Sequence, residues 1–312
     1  MKETDPVLSV VIPTHNRPER LRRAVQSVLS QDFEHTYEII IVDDGVEKRA
    51  RTVVEEFDSK IIRYVAHESN RGGGAARNTG ITHARGIYVA FLDDDDEWLV
   101  GKLQKQYEIL EQDHIIGFVV CPIRLVYEDS GRISEQRFEK LGVQHCYEAL
   151  LDHRVRTLTS SLMIRKDVLD AIGGFDEQFP SSQEWDMMIR ISKTYTGYFM
   201  SDVCVEMNFL RGEHIGGNLE RRIQGRAMLV RKYYKELKKR PRVLARHYFQ
   251  LGLFCRDNKD FFSSRMYFFK AVATDCKFMY IKHLFSVCFG KCVYNIVRTC
   301  IKMRVNSSRV IE

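Results

Sequence analysis

No uninterrupted apolar run in this chain reaches the roughly 20 residues that cross a bilayer. The opening residues MKETDPVLSV lack both the basic and the apolar stretch of a secretory leader, so a cytoplasmic location is expected. The eight cysteines never stand as CxxC, which points to reduced thiols rather than a disulfide framework or a zinc site. Two nucleotide fingerprints are also missing. The first apolar run is not followed by GxGxxG, and the one glycine run lacks the lysine of GxxxxGKS/T. What remains is ordinary globular composition over 312 residues, 44% apolar and 29% charged, enough for a sizeable core plus an appendage.

Charge is unevenly spread. Residues 221–312 hold 22 Lys and Arg against 5 Asp and Glu, a net +17, whereas the preceding 220 residues hold 26 against 37, a net −11. Two regions with different partners are implied, 1–218 and 219–312, divided in the Gly-rich stretch Arg211 to Leu219.

The acidic region alternates strand and helix. Leu8–Pro13 is a short β-branched run of the kind buried on both faces of a parallel sheet. Asn16 is positioned to cap a helix in which Leu21, Ala24, Val25, Val28 and Leu29 recur at helical spacing. Strands are expected at Tyr37–Val42, Ile61–Val65 and Tyr88–Leu92, with helices at Lys48–Phe57 and Ala75–His83. This pattern predicts a doubly wound, mostly parallel α/β sheet, in which ligands bind beyond the carboxyl ends of the strands.

The residues at those ends are polar. Thr14, His15 and Asn16 follow the first strand, Asp43 and Asp44 the second, and Asp93 to Asp96 the fourth. In an extended segment Asp93 and Asp95 share one face, a pair of hard oxygens suited to Mg²⁺ or Mn²⁺ with phosphate. The plain alternative is a solvated acidic turn, but four crowded carboxylates repel, and a divalent cation is the simplest compensation. Asp43-Asp44-Gly45 suits either a ribose or a simple turn. Gly72–Gly74 opens a helix whose N–H groups favour an anion, with Arg77 one turn in to face phosphate; the plain alternatives are a flexible turn and an ordinary Arg77 ion pair. Glu184, beside Trp185 near another helix start, suits a general base or merely complements the helix terminus.

The ordered set VVIPTHNR, IIIVDDG, GGGAARNTGI, FLDDDDEW, GGFDE and QEWDMMIR resembles the family 2 inverting glycosyltransferases of the GT-A fold over about residues 7–218. The resemblance implies a nucleotide-sugar donor, UDP in the first place, with base and ribose held by Pro13, Thr14, Asn16 and Asp44 and with Asp43 nearby. Asp93 and Asp95 match the outer positions of the family's DxD around Asp94, Asp95 being the more direct ligand of Mn²⁺ or Mg²⁺. Arg77 matches the arginine near the donor. Glu184 falls at the catalytic carboxylate, one methylene longer than the family's usual Asp, with Trp185 next to it. His214 suits a loop closing on the diphosphate or an ordinary surface histidine.

The basic region reads as helices, including one helix-turn-helix unit similar to a tetratricopeptide repeat over Ala245–Leu253 and Phe261–Ala271. From Met279 to Met303 apolar and aromatic residues alternate with Lys and Arg, which suits either an interfacial helix on anionic lipid or a packing helix. No nucleic-acid motif accompanies the charge. The family resemblance implies a glycan or lipid-linked hydroxyl as acceptor, reached from the cytoplasmic face of the membrane. Two other classes fit parts of the pattern: a non-catalytic scaffold of the same fold, and a nucleotidyltransferase. The latter would carry a basic glycine-rich loop where Pro13 to Asn16 stand.

Overall fold

The computed structural model of the protein describes residues 5–57, 59–127, 130–155, 157–209 and 218–288. The chain divides into two compact units, Met1–Phe179 with Gln183–His214, and Pro180–Ser182 with Ile215–Glu312.

In the first unit, β1 (Leu8–Thr14), β2 (Tyr37–Asp43), β3 (Ile62–Ala66) and β4 (Tyr88–Phe91) are parallel and ordered β3-β2-β1-β4. They are joined by α1 (Pro18–Leu29), α2 (Ala50–Glu56) and α3 (Gly73–His83). All of β1 is buried, as the unbroken apolar run requires, and Leu21, Ala24, Val25 and Val28 form the buried face of α1. Pro13 is tolerated inside this sheet because β4 pairs only with Leu8–Val11, so the missing N–H leaves no bond unmade on that side.

After β4 the chain departs from simple winding. It continues through β5 (Asp96–Trp98), α4 (Lys102–Gln112), β6 (Ile116–Val120), β7 (Ile123–Tyr127), β8 (Arg132–Gln136), β9 (Gly142–Gln144), α5 (Tyr147–Leu151), β10 (Leu162–Arg165), α6 (Lys166–Ile172), α7 (Gln183–Ser192), β11 (Thr196–Phe199) and β12 (Val205–Phe209). Among the described residues the large sheet has the order β3-β2-β1-β4-β10-β6-β11-β9, with β10 antiparallel to both neighbours. A second sheet, β5-β12-β7-β8, starts directly from the acidic run.

The expected cap of α1 is not formed. The residue before the helix is Arg17, which makes no side-chain cap bond, while Asn16 adopts φ 55° and points elsewhere. Pro18 at the first helical position supplies the preset φ and needs no partner for an N–H it lacks.

The second unit is helical: α8 (Leu219–Lys232), α9 (Tyr234–Lys238), α10 (Pro241–Asp257), α11 (Phe261–Thr274) and a further helical stretch at 278–288. Asn218 caps α8 by accepting from the Arg221 N–H, and Asp260 caps α11 by accepting from that of Ser263. The α10–α11 pair forms the expected helix-turn-helix, with Phe249, Phe268 and Tyr280 in its core. No helix among the described residues is long and apolar enough to cross a membrane. Much of Met279–Met303 and all of 210–217, with His214, lie outside the described residues.

Candidate active site

The carboxyl ends of β1, β2 and β4 and the starts of α3 and α7 bring most of the predicted residues together. Residues 92–98 follow β4 with alternating burial: Asp93, Asp95 and Glu97 are partly exposed, while Asp94, Asp96 and Trp98 are buried. The shared face expected for Asp93 and Asp95 is thus present, although the backbone turns here, with the Asp96 N–H donating to the Asp93 carbonyl.

The inward face is fastened from below. Thr14 Oγ1 donates to Asp94 at 2.7 Å. Ser160 Oγ donates to Asp96 at 2.5 Å and accepts from the Asp93 N–H, and its carbonyl accepts from the Trp98 indole. Burial, reinforced by neighbouring Asp95, pushes the Asp94 carboxyl up to about 6 against the pull of Arg17. The same causes raise Asp96 well above the carboxylate range.

The outward face is met by arginines. Arg77 forms an ion pair with Asp93. Arg17 lies 3.2 Å from both Asp94 and Asp95, and Arg20 lies 3.6 Å from Asp95. Three guanidinium groups therefore relieve the repulsion that the sequence reading assigned to a divalent cation. The relief is partial, because neighbouring carboxylates still raise the Asp94 and Asp96 carboxyls. The oxygen pair still fits Mn²⁺ or Mg²⁺, since Asp93 and Asp95 keep partial exposure on one side. Among the described residues no group of three or more His, Cys, Asp or Glu forms a ready-made site, so the remaining ligands would be phosphate or water oxygens.

Asp43 and Asp44 build the floor. The Asp43 carboxylate accepts from the Gly45 N–H at 2.9 Å and from the Tyr64 hydroxyl at 2.8 Å. Buried Asp44 accepts the N–H groups of Arg71 and Gly72, both at 2.8 Å, and its Oδ1 also lies 2.8 Å from His67 Nδ1. Asp44 thereby shapes the loop that opens α3. Gly72 has φ 90°, a left-handed conformation that favours glycine. Asn16 is held close to the Gly45 turn: a Cβ on Gly45 would lie 2.4 Å from Asn16 Oδ1, and that oxygen is buried without a hydrogen-bond partner among the described residues.

Arg77 links the two helix starts. It donates to Gln183 Oε1 at 3.4 Å, its charge stands 5.6 Å from the centre of the Phe175 ring, and its buried Nε has no hydrogen-bond partner among the described residues. Burial works against its charge, but the carboxylates around it, Asp93 foremost, together raise its pKa. The adjacent Asn78 locks the turn after α6, accepting from the Phe175 N–H and donating to the Phe175 carbonyl. Glu184 is the second residue of α7, half-buried and within the field of Arg77. Burial raises its carboxyl above the ordinary range, against its own backbone N–H and Arg77.

Trp185 turns away. It is 6% exposed, its indole donates to the Leu150 carbonyl, and its ring lies against His153 at 3.9 Å. It fixes α7 on α5 and leaves the carboxylate cluster to its neighbour. Arg17, Arg20, Ser160 and His67 belong to the cluster without having been singled out. For the arginines a signal existed, because a four-carboxylate run in a buried layer demands cations nearby.

Residues 9–175 match the profile of Glycosyl transferase family 2. The chain belongs to this family. It is 38% identical over 149 residues to the putative teichuronic acid biosynthesis glycosyltransferase TuaG of Bacillus subtilis, covering 42% of this chain and 59% of that protein. It is 30% identical over 188 residues to an uncharacterized glycosyltransferase of Methanocaldococcus jannaschii, covering 59% of this chain and 64% of the relative. Over 138 residues it is 30% identical to the Escherichia coli UDP-Glc:alpha-D-GlcNAc-diphosphoundecaprenol beta-1,3-glucosyltransferase WfgD, covering 39% and 54%. The chain spans less than two thirds of the length of these curated relatives. Among solved structures, S. aureus TarS 1–349 in complex with UDP-GlcNAc superposes with a TM-score of 0.64 at 19% identity, over 90% of this chain and 79% of that one. The fold is accordingly the mixed α/β GT-A fold, with a helical C-terminal region.

Proposed function

We propose that this family 2 chain is an inverting glycosyltransferase that moves a hexosyl or N-acetylhexosaminyl group from a UDP-sugar to a hydroxyl of a glycan or lipid-linked acceptor, in polysaccharide assembly. The observation that carries the reading is the convergence of Arg77, Asp93 and Glu184 at the carboxyl edge of the sheet. Relatives named for UDP-glucose transfer to a diphosphoundecaprenol-linked sugar and for teichuronic acid biosynthesis support this acceptor class.

Pro13, Thr14, Asn16 and Asp44, with Asp43 beneath, take the nucleoside at the ends of β1 and β2. Arg77 meets the diphosphate, where its fixed cation stabilises the charge that develops on the leaving group. Glu184 accepts the proton of the acceptor hydroxyl as that oxygen attacks the anomeric carbon from the opposite side. One displacement inverts the centre. Asp93 and Asp95 would hold Mn²⁺ or Mg²⁺, which when bound adds Lewis-acid neutralisation of the diphosphate. His214 would join from the segment after β12.

In this reading residues 1–218 are catalytic, and residues 219–312, at +17 from 221 onward, attract the enzyme to the anionic cytoplasmic membrane surface. The test is calorimetric titration with UDP, GDP and dTDP, each with Mn²⁺ and again with EDTA, followed by NMR of the product's anomeric configuration. UDP binding strengthened by Mn²⁺ and an inverted product are expected. Absence of binding by all three nucleotides would leave a scaffold of this fold.

A further inference from the structure

Helix α11 is apolar on two faces. Ser264, Phe268 and Ala271 are buried in the α10–α11 core. On another face Phe262, Met266 and Phe269 recur at i, i+4 and i+7, and they are 80%, 38% and 63% exposed. A surface helix normally buries a single stripe, and a second one signals a second apolar environment. The helical stretch 278–288 adds Leu284 and Phe285 to the same side, and with Arg265 these side chains line a groove of about 580 Å³.

The location of this apolar surface is selective. Every exposed Phe and Met among the described residues falls between 261 and 285, whereas the exposed apolar residues of the first unit are separate aliphatics such as Val46, Ile87 and Val100. Lys259, Arg265, Lys270 and Lys277 are exposed in the same span. Its acidic residues are only Asp260, which is occupied in capping α11, and Asp275, which pairs with Lys277. Aromatic side chains flanked by cations suit the boundary between acyl chains and anionic headgroups.

We propose that the Phe262–Met266–Phe269 face and its groove enter the acyl region of an anionic phospholipid surface, with the surrounding Lys and Arg at the headgroups. This names the inserting element within the membrane reading above, on which the choice of partner rests. The full chain is floated with vesicles of phosphatidylcholine alone or with one quarter phosphatidylglycerol, and Phe262→Ser/Phe269→Ser is compared with wild type. Wild type is expected to partition onto the anionic vesicles, and the double variant at least 10-fold less. In a second measurement Phe262→Trp is expected to be quenched by mid-chain brominated lipid. Equal partition of wild type and double variant, or no quenching, overturns the insertion. So does a wild-type dimer that the double variant converts to monomer, because a second copy would then cover the face. UDP binding followed on the same proteins keeps failure here distinct from failure of the transferase reading.

Discussion

Asp44 holds Gly72 by its backbone: the Gly72 N–H donates to Asp44 Oδ2 at 2.8 Å, across 28 residues of sequence. Oδ1 takes the neighbouring Arg71 N–H, so one buried carboxylate sets the entry to α3 and with it the direction of Arg77. Asp44→Asn would turn one acceptor into a donor facing an N–H, at a cost of roughly 2 kcal/mol. A Cβ at Gly72 meets nothing within 4 Å, so the penalty of Gly72→Ala is backbone conformation alone, about 1–3 kcal/mol at φ 90° and ψ 162°. Urea denaturation should show both losses, and UDP affinity should fall more for Asp44→Asn. An Asp44→Asn protein as stable as wild type would remove Asp44 from the loop's support.

Asp95 bears on the metal question because Arg17 and Arg20 already face it. In Asp95→Ala these arginines lose their common partner while Asp93 and Asp94 keep theirs. The Mn²⁺-dependent part of UDP binding should vanish in calorimetry, and the metal-free part should hold, because Arg17 keeps its pair with Asp94. An undiminished Mn²⁺ effect would move the ion to other oxygens.

Lys102 in α4 is fully buried, with no carboxylate paired to it among the described residues. Its Nζ donates to Gln106 Oε1 at 2.7 Å and lies 3.9 Å from the centre of the Trp98 ring, with the thiols of Cys121 and Cys204 as its nearest titrating neighbours. Burial lowers its pKa to about 8. In the unfolded chain lysine binds its proton up to about 10.4, so between these values the unfolded state holds more protons and stability rises with pH. Below about 8 the folded state carries the full cost of the buried ammonium. Lys102→Met should therefore stabilise the protein at pH 7 by about 1–3 kcal/mol, an advantage that shrinks as pH approaches 10. Urea midpoints of both proteins at pH 7 and 9.5 check this. A less stable Lys102→Met at pH 7 would mean that the contacts with Trp98 and Gln106 outweigh desolvation.

The parallel half of the sheet is legible in the sequence because strands buried on both faces are largely apolar and β-branched, as in VVI of the first strand and IIIV of the second. Their polar followers are equally legible, since ligand-bearing loops leave the carboxyl ends. The insertion of β10 between β4 and β6 is not, because the LMIR segment carries no sign of its direction or neighbours. Nor is Ser160, which joins Asp93 and Asp96 across more than 60 residues through an ordinary hydroxyl. The Asn16 cap fails for a local reason: Asn16 is left-handed and lies against the Gly45 turn, and Arg17, the residue before Pro18, is drawn to the acidic run.

Glu184 bears the chemical step of the proposed reaction, and its surroundings permit a sharp test. The side chain is half-buried at the start of α7, and Gln183 beside it packs on Gly74, where a Cβ would come within 3.1 Å of Gln183 Nε2. Glu184→Gln preserves size and leaves the Arg77–Asp93 pair in place while abolishing proton acceptance. UDP affinity should stay within about twofold of wild type, and transfer should fall by roughly 10²–10⁴. Glu184→Asp shortens the arm by one methylene and should retain part of the transfer, because the carboxylate survives at a longer reach. Radiolabelled sugar transfer measured beside nucleotide calorimetry separates the two effects. Full transfer by Glu184→Gln would send the search for the base to another carboxylate at this edge. Lost UDP binding would show instead that Glu184 supports the donor site through Arg77.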